Sequence, residues 1–294
     1  MATAAGRSRG GLDVLSPVAE RIGRQATRAL YGELSCFPKP GLVSFADAGG
    51  HSDMDARTFV RSIKALRPYF PRIAAQGGEG ADFQALAACG RQAEAAMLTA
   101  TGGRNTHRGA VFSLGLLAAA AGALAHGGAR PTAQDLADLV RCRWSDAIRA
   151  SRAAADRSHG ATAFRRYGVS GARGQAAAGF PLIVDAALPA LRLAIQGGLA
   201  VERAAVQALF VLMAELDDTN LLHRGGRTGL DLVRREARNF LSGGGVYATG
   251  WRRQAVDLHR LCSARKLSPG GAADLLAATL FVWQLEGGSL SPWH

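Results

Sequence analysis

Lysine is nearly missing from this chain: Lys39, Lys64 and Lys266 are the lysines, and every other basic side chain is arginine. Aromatic residues are scarce too, at 6% of 294 residues. Valine, isoleucine and threonine are spread too thinly for many strands, which argues against a sheet-based architecture. The four cysteines, Cys36, Cys89, Cys142 and Cys262, are scattered without a C-x-x-C pair. That spacing fits neither a disulfide framework nor a zinc site, and it suits a reducing cytosol. The first residues, MATAAGRSRGG, carry charge but no apolar stretch of a secretory signal. The longest apolar run, Ala110 to Ala125, is shorter than the ~18–20 residues that span a bilayer, so it reads as a buried helix. There is no Ser/His/Asp order, Cys–His pair or H-E-x-x-H sequence to suggest hydrolase chemistry. Together these absences predict a cytoplasmic protein that does not enter the membrane.

What the chain does have is apolar mass and positive charge. Hydrophobic residues make up 48%, enough for a sizeable core. Lys+Arg exceed Asp+Glu by 35 − 23, a net charge of +12. Such a charge favours an anionic partner, whether nucleotide, nucleic acid or membrane surface. Helical apolar spacing runs from Pro17 to Leu34, from Phe59 to Phe70, from Phe83 to Met97, from Ala204 to Leu216 and from Leu230 to Leu241. Pro181 suits the first residue of a helix, and Ser268 with Pro269 suits an N-cap and first turn of the last one. Between the helices lie polar, Gly-rich segments: the loop before Asp55, Thr101 to Gly109, Ser158 to Gln175, and the stretch beyond Asp217. The expectation is all-α: a loose arm over residues 1–15, then one domain of about eight to ten helices over 16–294. Oligomeric state is not written in this pattern, because an apolar helix face looks alike in a core and in a dimer interface.

Chemistry-bearing residues gather at the helix junctions. Asp217 and Asp218 end an apolar helix, where the dipole is already negative, so a cation such as Mg²⁺ would relieve them. An exposed acidic helix end is the other reading. His51, Asp53 and Asp55 alternate, so an extended segment projects them together to bind a metal or move protons. Helix capping by either aspartate is the alternative. Asn105, His107 and Arg108 precede a long apolar helix, whose free N–H groups make a phosphate cradle; an ordinary capped start is the bland alternative. Arg165, Arg166 and Arg173 suit a second polyphosphate contact or simply a solvated basic loop. His159 taken alone reads as structural. Ser268, Gly270 and Gly271 offer either an anion site or a cap.

Seven segments, in order, resemble the triphosphoribosyl-dephospho-CoA synthase family: PKPGLV at Pro38–Val43, HSDMD at His51–Asp55, NTHRG at Asn105–Gly109, SHG at Ser158–Gly160, YGVSGARG at Tyr167–Gly174, LDDTNLLHRGG at Leu216–Gly226 and LSPGGAADLLAA at Leu267–Ala278. The resemblance covers roughly residues 30–285. It implies an all-α enzyme that joins ATP to 3′-dephospho-CoA and releases adenine. The product, 2′-(5″-triphosphoribosyl)-3′-dephospho-CoA, is the precursor for the acyl carrier subunit of citrate lyase or malonate decarboxylase. A further transferase would pass it to that carrier. Gln175 departs from the pattern, where a glutamate is expected. On this resemblance Asp217 and Asp218 become metal ligands or base, with Asp55 as a further ligand, and Asp53 with His51 the second acid–base pair. Lys39, Arg108, Arg173 and Arg224 become the phosphate contacts, and Asn105, His107, His159, Asn220, His223, Ser268, Gly270 and Gly271 complete the substrate site. The rivals are a metal-dependent helical nucleotide phosphohydrolase and a basic nucleic-acid-binding protein. Against the second, the arginines sit in separate Gly-rich loops without interleaved aromatics.

Overall fold

The computed structural model describes residues 15–125, 130–151 and 159–290. The arm expected over residues 1–15 falls, but for Leu15, outside the described residues. Those residues form thirteen α-helices and no strand. They are α1 (Pro17–Ser35), α2 (Ala56–Leu66), α3 (Tyr69–Gly78), α4 (Phe83–Thr101), α5 (Arg108–Leu124), α6 (Ala133–Ala150), α7 (His159–Tyr167), α8 (Gly171–Ala177), α9 (Leu188–Gln196), α10 (Val201–Glu215), α11 (Thr219–Ser242), α12 (Trp251–Ala264) and α13 (Gly270–Leu285). A π-helical segment, Leu182–Ala187, runs into α9.

The all-α expectation holds, and the helix count exceeds eight to ten for local reasons. The stretch from Phe59 to Phe70 is two helices, because Pro68 interrupts it and serves as N-cap of α3. The segment read as a polar cluster from Ser158 to Gln175 contains α7 and α8. Their short apolar faces give little periodic signal.

The helix starts follow local chemistry. Ser16 Oγ accepts from Ala19 N ahead of Pro17, and Asp82 accepts from Ala85 N at the start of α4. Thr132 and Asp135 close a capping box on α6. The last helix departs from expectation. Its N-cap is Pro269, and the Ser268 hydroxyl bonds instead to His51 Nε2 at 3.0 Å.

At the centre lie α5 and α13, both apolar over most of their surface, with α1 and α3 on one side and α10 on the other. The fit of α3 against α5 depends on missing side chains. A Cβ at Gly77 would lie 2.0 Å from Ala119 O, and one at Gly122 would lie 1.9 Å from Ala74 O. Glycine there lets the backbones touch. No single helix among the described residues is long and apolar enough to cross a membrane.

Candidate active site

Six of the seven motif segments converge on one cleft of about 950 Å³. That is near the top of the roughly 300–1,000 Å³ usual for small-molecule sites. Leu42 and Val43 come from the loop after α1, His51, Asp53 and Met54 from the segment before α2, and Asn105 to Gly109 from the start of α5. Ser170 to Arg173 come from α8, Leu216, Asp217, Thr219, Asn220 and Arg224 from the α10–α11 junction, and Ser268, Gly270 and Gly271 from the start of α13. Arg91, Arg104, Arg108, Arg173 and Arg224 face it, as do Tyr69, Ile73, Phe83 and Leu86. Basic and apolar walls thus share one cavity.

The acidic pair divides at the helix boundary. Asp218 is the N-cap of α11: it accepts from Asn220 N at 2.8 Å and Leu221 N at 3.2 Å, and from Ala272 N at 2.9 Å in α13. Asp218 therefore does not sit at a negative helix end but faces the positive ends of two helices. Burial nevertheless pushes its carboxyl above the ordinary range, against those backbone N–H groups. Asp217 lines the cleft, and its carboxylate lies 2.8 Å from Arg234. Asp55 is not among the residues that line the cleft. It caps α2, accepting from Thr58 N and Oγ1, and those bonds hold its carboxyl below the usual range. The expected ligand set Asp217, Asp218 and Asp55 is thus dispersed. No group of three or more His, Cys, Asp or Glu side chains among the described residues is arranged to hold a metal ion.

His51 is fixed from both sides. Its Nδ1 accepts from Arg224 at 2.9 Å, so the proton sits on Nε2 and is donated to Ser268 Oγ. Burial and the Arg224 charge keep the ring below the ordinary imidazole range, against Asp53, whose carboxylate lies 3.7 Å away. Arg224 also donates to Lys266 O, and Asn220 lies against Gly270. Arg108 lies 3.2 Å from Glu94, and Asn105 Oδ1 accepts from Arg108 N. The Arg173 guanidinium lies over Phe112 and donates to Ser151. His223 is exposed and does not line the cleft. The His159 side chain and Ser158 lie outside what the structure describes.

Lys39 is corrected from phosphate contact to internal counter-ion. It is fully buried, with Nζ 2.5 Å from Glu33 Oε1 and 2.8 Å from Glu33 O. Its backbone carbonyl accepts from His259 Nδ1, while His259 Nε2 meets Asp47, and this fastens the loop to α12. Gln175 lies off the cleft, and its side-chain oxygen accepts from Leu182 N at 3.2 Å. An amide oxygen fills that role as a carboxylate would.

Sequence reasoning passed over Glu33, Ser113 and Asp274, all of which line the cleft. A usable signal existed for two of them, since each is a lone acidic residue on an apolar helical face. Burial raises the Glu33 carboxyl, opposed by Lys39.

His107 is buried ahead of α5. Thr106 Oγ1 donates to Ser62 Oγ at 2.7 Å, and the Ser62 hydroxyl lies 2.6 Å from His107 Nδ1. That relay leaves the ring proton on Nε2, which has no hydrogen-bond partner among the described residues. Burial and the Lys39 charge push the ring pKa down to about 3. The unfolded ring takes a proton near pH 6.5 that the folded ring refuses, so this contribution to stability is complete above that pH and lost as pH falls. From pH 6.5 to pH 5 the loss from this group should be about 2 kcal/mol. Urea unfolding at pH 7 and pH 5 should therefore show a smaller acid loss in His107→Asn than in the wild type. Equal losses would contradict the buried neutral ring.

Comparison with known proteins agrees with the cleft. The model of the ATP:dephospho-CoA triphosphoribosyl transferase family (CitG) matches residues 19–292. The 2-(5″-triphosphoribosyl)-3′-dephosphocoenzyme-A synthase of Klebsiella pneumoniae is 40% identical over 283 residues, covering 93% of this chain and 94% of that one. A probable synthase of the same name from Stutzerimonas stutzeri is 41% identical over 279 residues, covering 93% and 94%. Another from Vibrio cholerae is 37% identical over 274 residues, covering 90% and 88%. No solved structure matches. Since the likeness runs through nearly the whole chain and every segment that walls the cleft, this protein belongs to the ATP:dephospho-CoA triphosphoribosyl transferase family.

Proposed function

We propose that the cleft transfers the triphosphoribosyl group of ATP to the 2′-hydroxyl of 3′-dephospho-CoA, forming 2′-(5″-triphosphoribosyl)-3′-dephospho-CoA and adenine. The observation that supports this most is the convergence of arginines, carboxyl groups and an apolar wall on one cavity. Moving the ribosyl group with its triphosphate intact is glycosyl transfer. The C1″–N9 bond breaks as the 2′-oxygen approaches from the opposite face, and C1″ gains oxocarbenium character. Such a displacement inverts β to α and needs a base and an acid on opposite sides of the sugar, as in inverting glycosidases.

Arg104, Arg108, Arg173 and Arg224 hold the triphosphate, and the positive end of the α5 dipole lies in the same region. Asp53, with more than half of its side chain exposed beside His51, takes the 2′-hydroxyl proton. His51 orients Ser268 and Arg224 and does not serve as the base, because both ring nitrogens are engaged. Mg²⁺ fits this site as a companion of the nucleotide, since it commonly uses one or two carboxylates plus phosphate oxygens. Asp217, which lines the cleft beside Arg234, would be the carboxylate that holds it. When bound, the ion would neutralise phosphate charge.

A cytoplasmic location goes with these two substrates. The product is a prosthetic-group precursor for the carrier subunit of citrate lyase or malonate decarboxylase, and a second transferase would take it to that carrier. Chromatography of ATP incubated with protein, Mg²⁺ and dephospho-CoA should show adenine appearing only when dephospho-CoA is present. Phosphate release with adenine still on its ribose would overturn the proposal in favour of a phosphohydrolase.

A further inference from the structure

Asp274 is the one charged residue of α13, a helix otherwise apolar and buried. Retaining a carboxyl there is costly unless its environment is built for it, and here the seat is specific. Its Oδ2 lies over Gly109, where a Cβ would approach to 2.0 Å, and the N–H of Ala110 in the first turn of α5 donates to it. Protein surrounds the carboxyl on most sides, yet it lines the cleft and keeps some exposed surface. Glu33 from α1, itself paired with Lys39, and Asp218 from the cap of α11 face it, while His107 and Arg108 lie at the adjoining start of α5. Burial first, then the Glu33 and Asp218 charges, raise its pKa well above the usual carboxylate value, against the single Ala110 N–H. Burial and its neighbours' charges together disfavour ionisation of the group.

Two other polar atoms of the cleft point to what lies beside it. Ser113 Oγ, one helical turn along α5 from Gly109, and His107 Nε2 are both buried without a hydrogen-bond partner among the described residues. Unpaired polar atoms in a wall that also holds Phe83 and Leu86 suit a flat heteroaromatic base with several ring nitrogens.

We propose that Asp274 is the general acid of the transfer, giving its proton to the purine of ATP held against α5 by Ser113 and His107. As C1″–N9 breaks, the electron pair of that bond stays with the purine, a ring nitrogen takes the Asp274 proton, and neutral adenine departs. The 2′-oxygen bonds to C1″, its proton passes to Asp53 and then to solvent, and solvent returns a proton to Asp274. The assignment rests on the glycosyl transfer proposed above.

The test compares two donors in wild type and Asp274→Asn. One is ATP; the other is nicotinamide riboside 5′-triphosphate, whose pyridinium base leaves neutral without needing a proton. Asp274→Asn should lower kcat for adenine release from ATP by about 10²–10⁴-fold, the range for losing a positioned acid, and nicotinamide release by less than about tenfold. With ATP, wild-type kcat should fall on the alkaline side as Asp274 loses its proton, and this fall should vanish in the variant. Asp274→Glu, which keeps a proton to give, should retain more ATP turnover than Asp274→Asn. Equal losses with both donors, with or without a lowered melting temperature, would make Asp274 a structural residue and overturn the assignment. So would ATP turnover of the variant within about threefold of wild type. A wild-type protein that releases no adenine from ATP would instead defeat the glycosyl-transfer reading itself.

Discussion

Lys39→Met should lower the stability of the folded chain by about 3–5 kcal/mol, the usual consequence of removing one partner of a buried ion pair. Lys39 and Glu33 are almost wholly removed from solvent, and Lys39 Nζ bonds both the Glu33 carboxylate and its backbone oxygen. Intact, such a pair adds little, because desolvation offsets most of the attraction. Without the ammonium, Glu33 is left in the core either charged and unpaired or protonated at a cost. The loop that carries Leu42 and Val43 into the cleft leaves α1 next to this pair, so the damage should reach the site as well. Glu33→Gln added to Lys39→Met removes the stranded charge and should recover much of the loss. Urea unfolding of the three proteins checks this. A loss below about 1 kcal/mol for Lys39→Met would place the pair with ordinary surface bridges and contradict its role as an internal fastening.

Arg108→Ala and Arg173→Ala should each weaken ATP binding roughly ten- to hundredfold, since a charged hydrogen bond contributes about 1.5–3 kcal/mol. Removing Arg108 also takes one cation from beside the Glu94 carboxylate, 3.2 Å away, so its loss should lie at the upper end. Arg173 is held over Phe112, which fixes its fork toward the cavity at lower entropic cost than a free surface arginine. Arg260, an exposed residue of α12 that is 75% accessible, is the control, and Arg260→Ala should leave the affinity unchanged. Calorimetric titration of ATP into the folded variants distinguishes the outcomes. Equal and small effects at all three positions would mean the basic charge is a solvated surface and not a phosphate site.

The all-helical class was legible because apolar spacing is a local property, and stretches such as Ala110 to Ala125 could be nothing but buried helix. The grouping of the site was legible as well, since each polar Gly-rich segment stands at a helix end and a bundle brings its ends together. Individual roles were not. Asp217 and Asp218 are neighbours in sequence, yet one lines the cleft and the other closes the first turn of α11. Which does which depends on where the chain turns into Thr219 and on the approach of α13. Lys39 looked like a phosphate ligand because its burial depends on Glu33 and on His259, 220 residues further on. Asp274 was passed over inside an apolar helix, because its meaning lies in Gly109 across the helix interface. Long-range packing decides such things, and no local window contains it.

In the proposed transfer the triphosphate of ATP stays whole while its base is exchanged for dephospho-CoA. Mass spectrometry of dephospho-CoA after incubation with Mg²⁺ and ATP carrying ¹⁸O in the γ-phosphate measures this directly. One product is expected, dephospho-CoA plus a complete triphosphoribosyl group, with the γ-label retained and one adenine released for each molecule formed. Label found in free phosphate or pyrophosphate, with dephospho-CoA unchanged in mass, would contradict it.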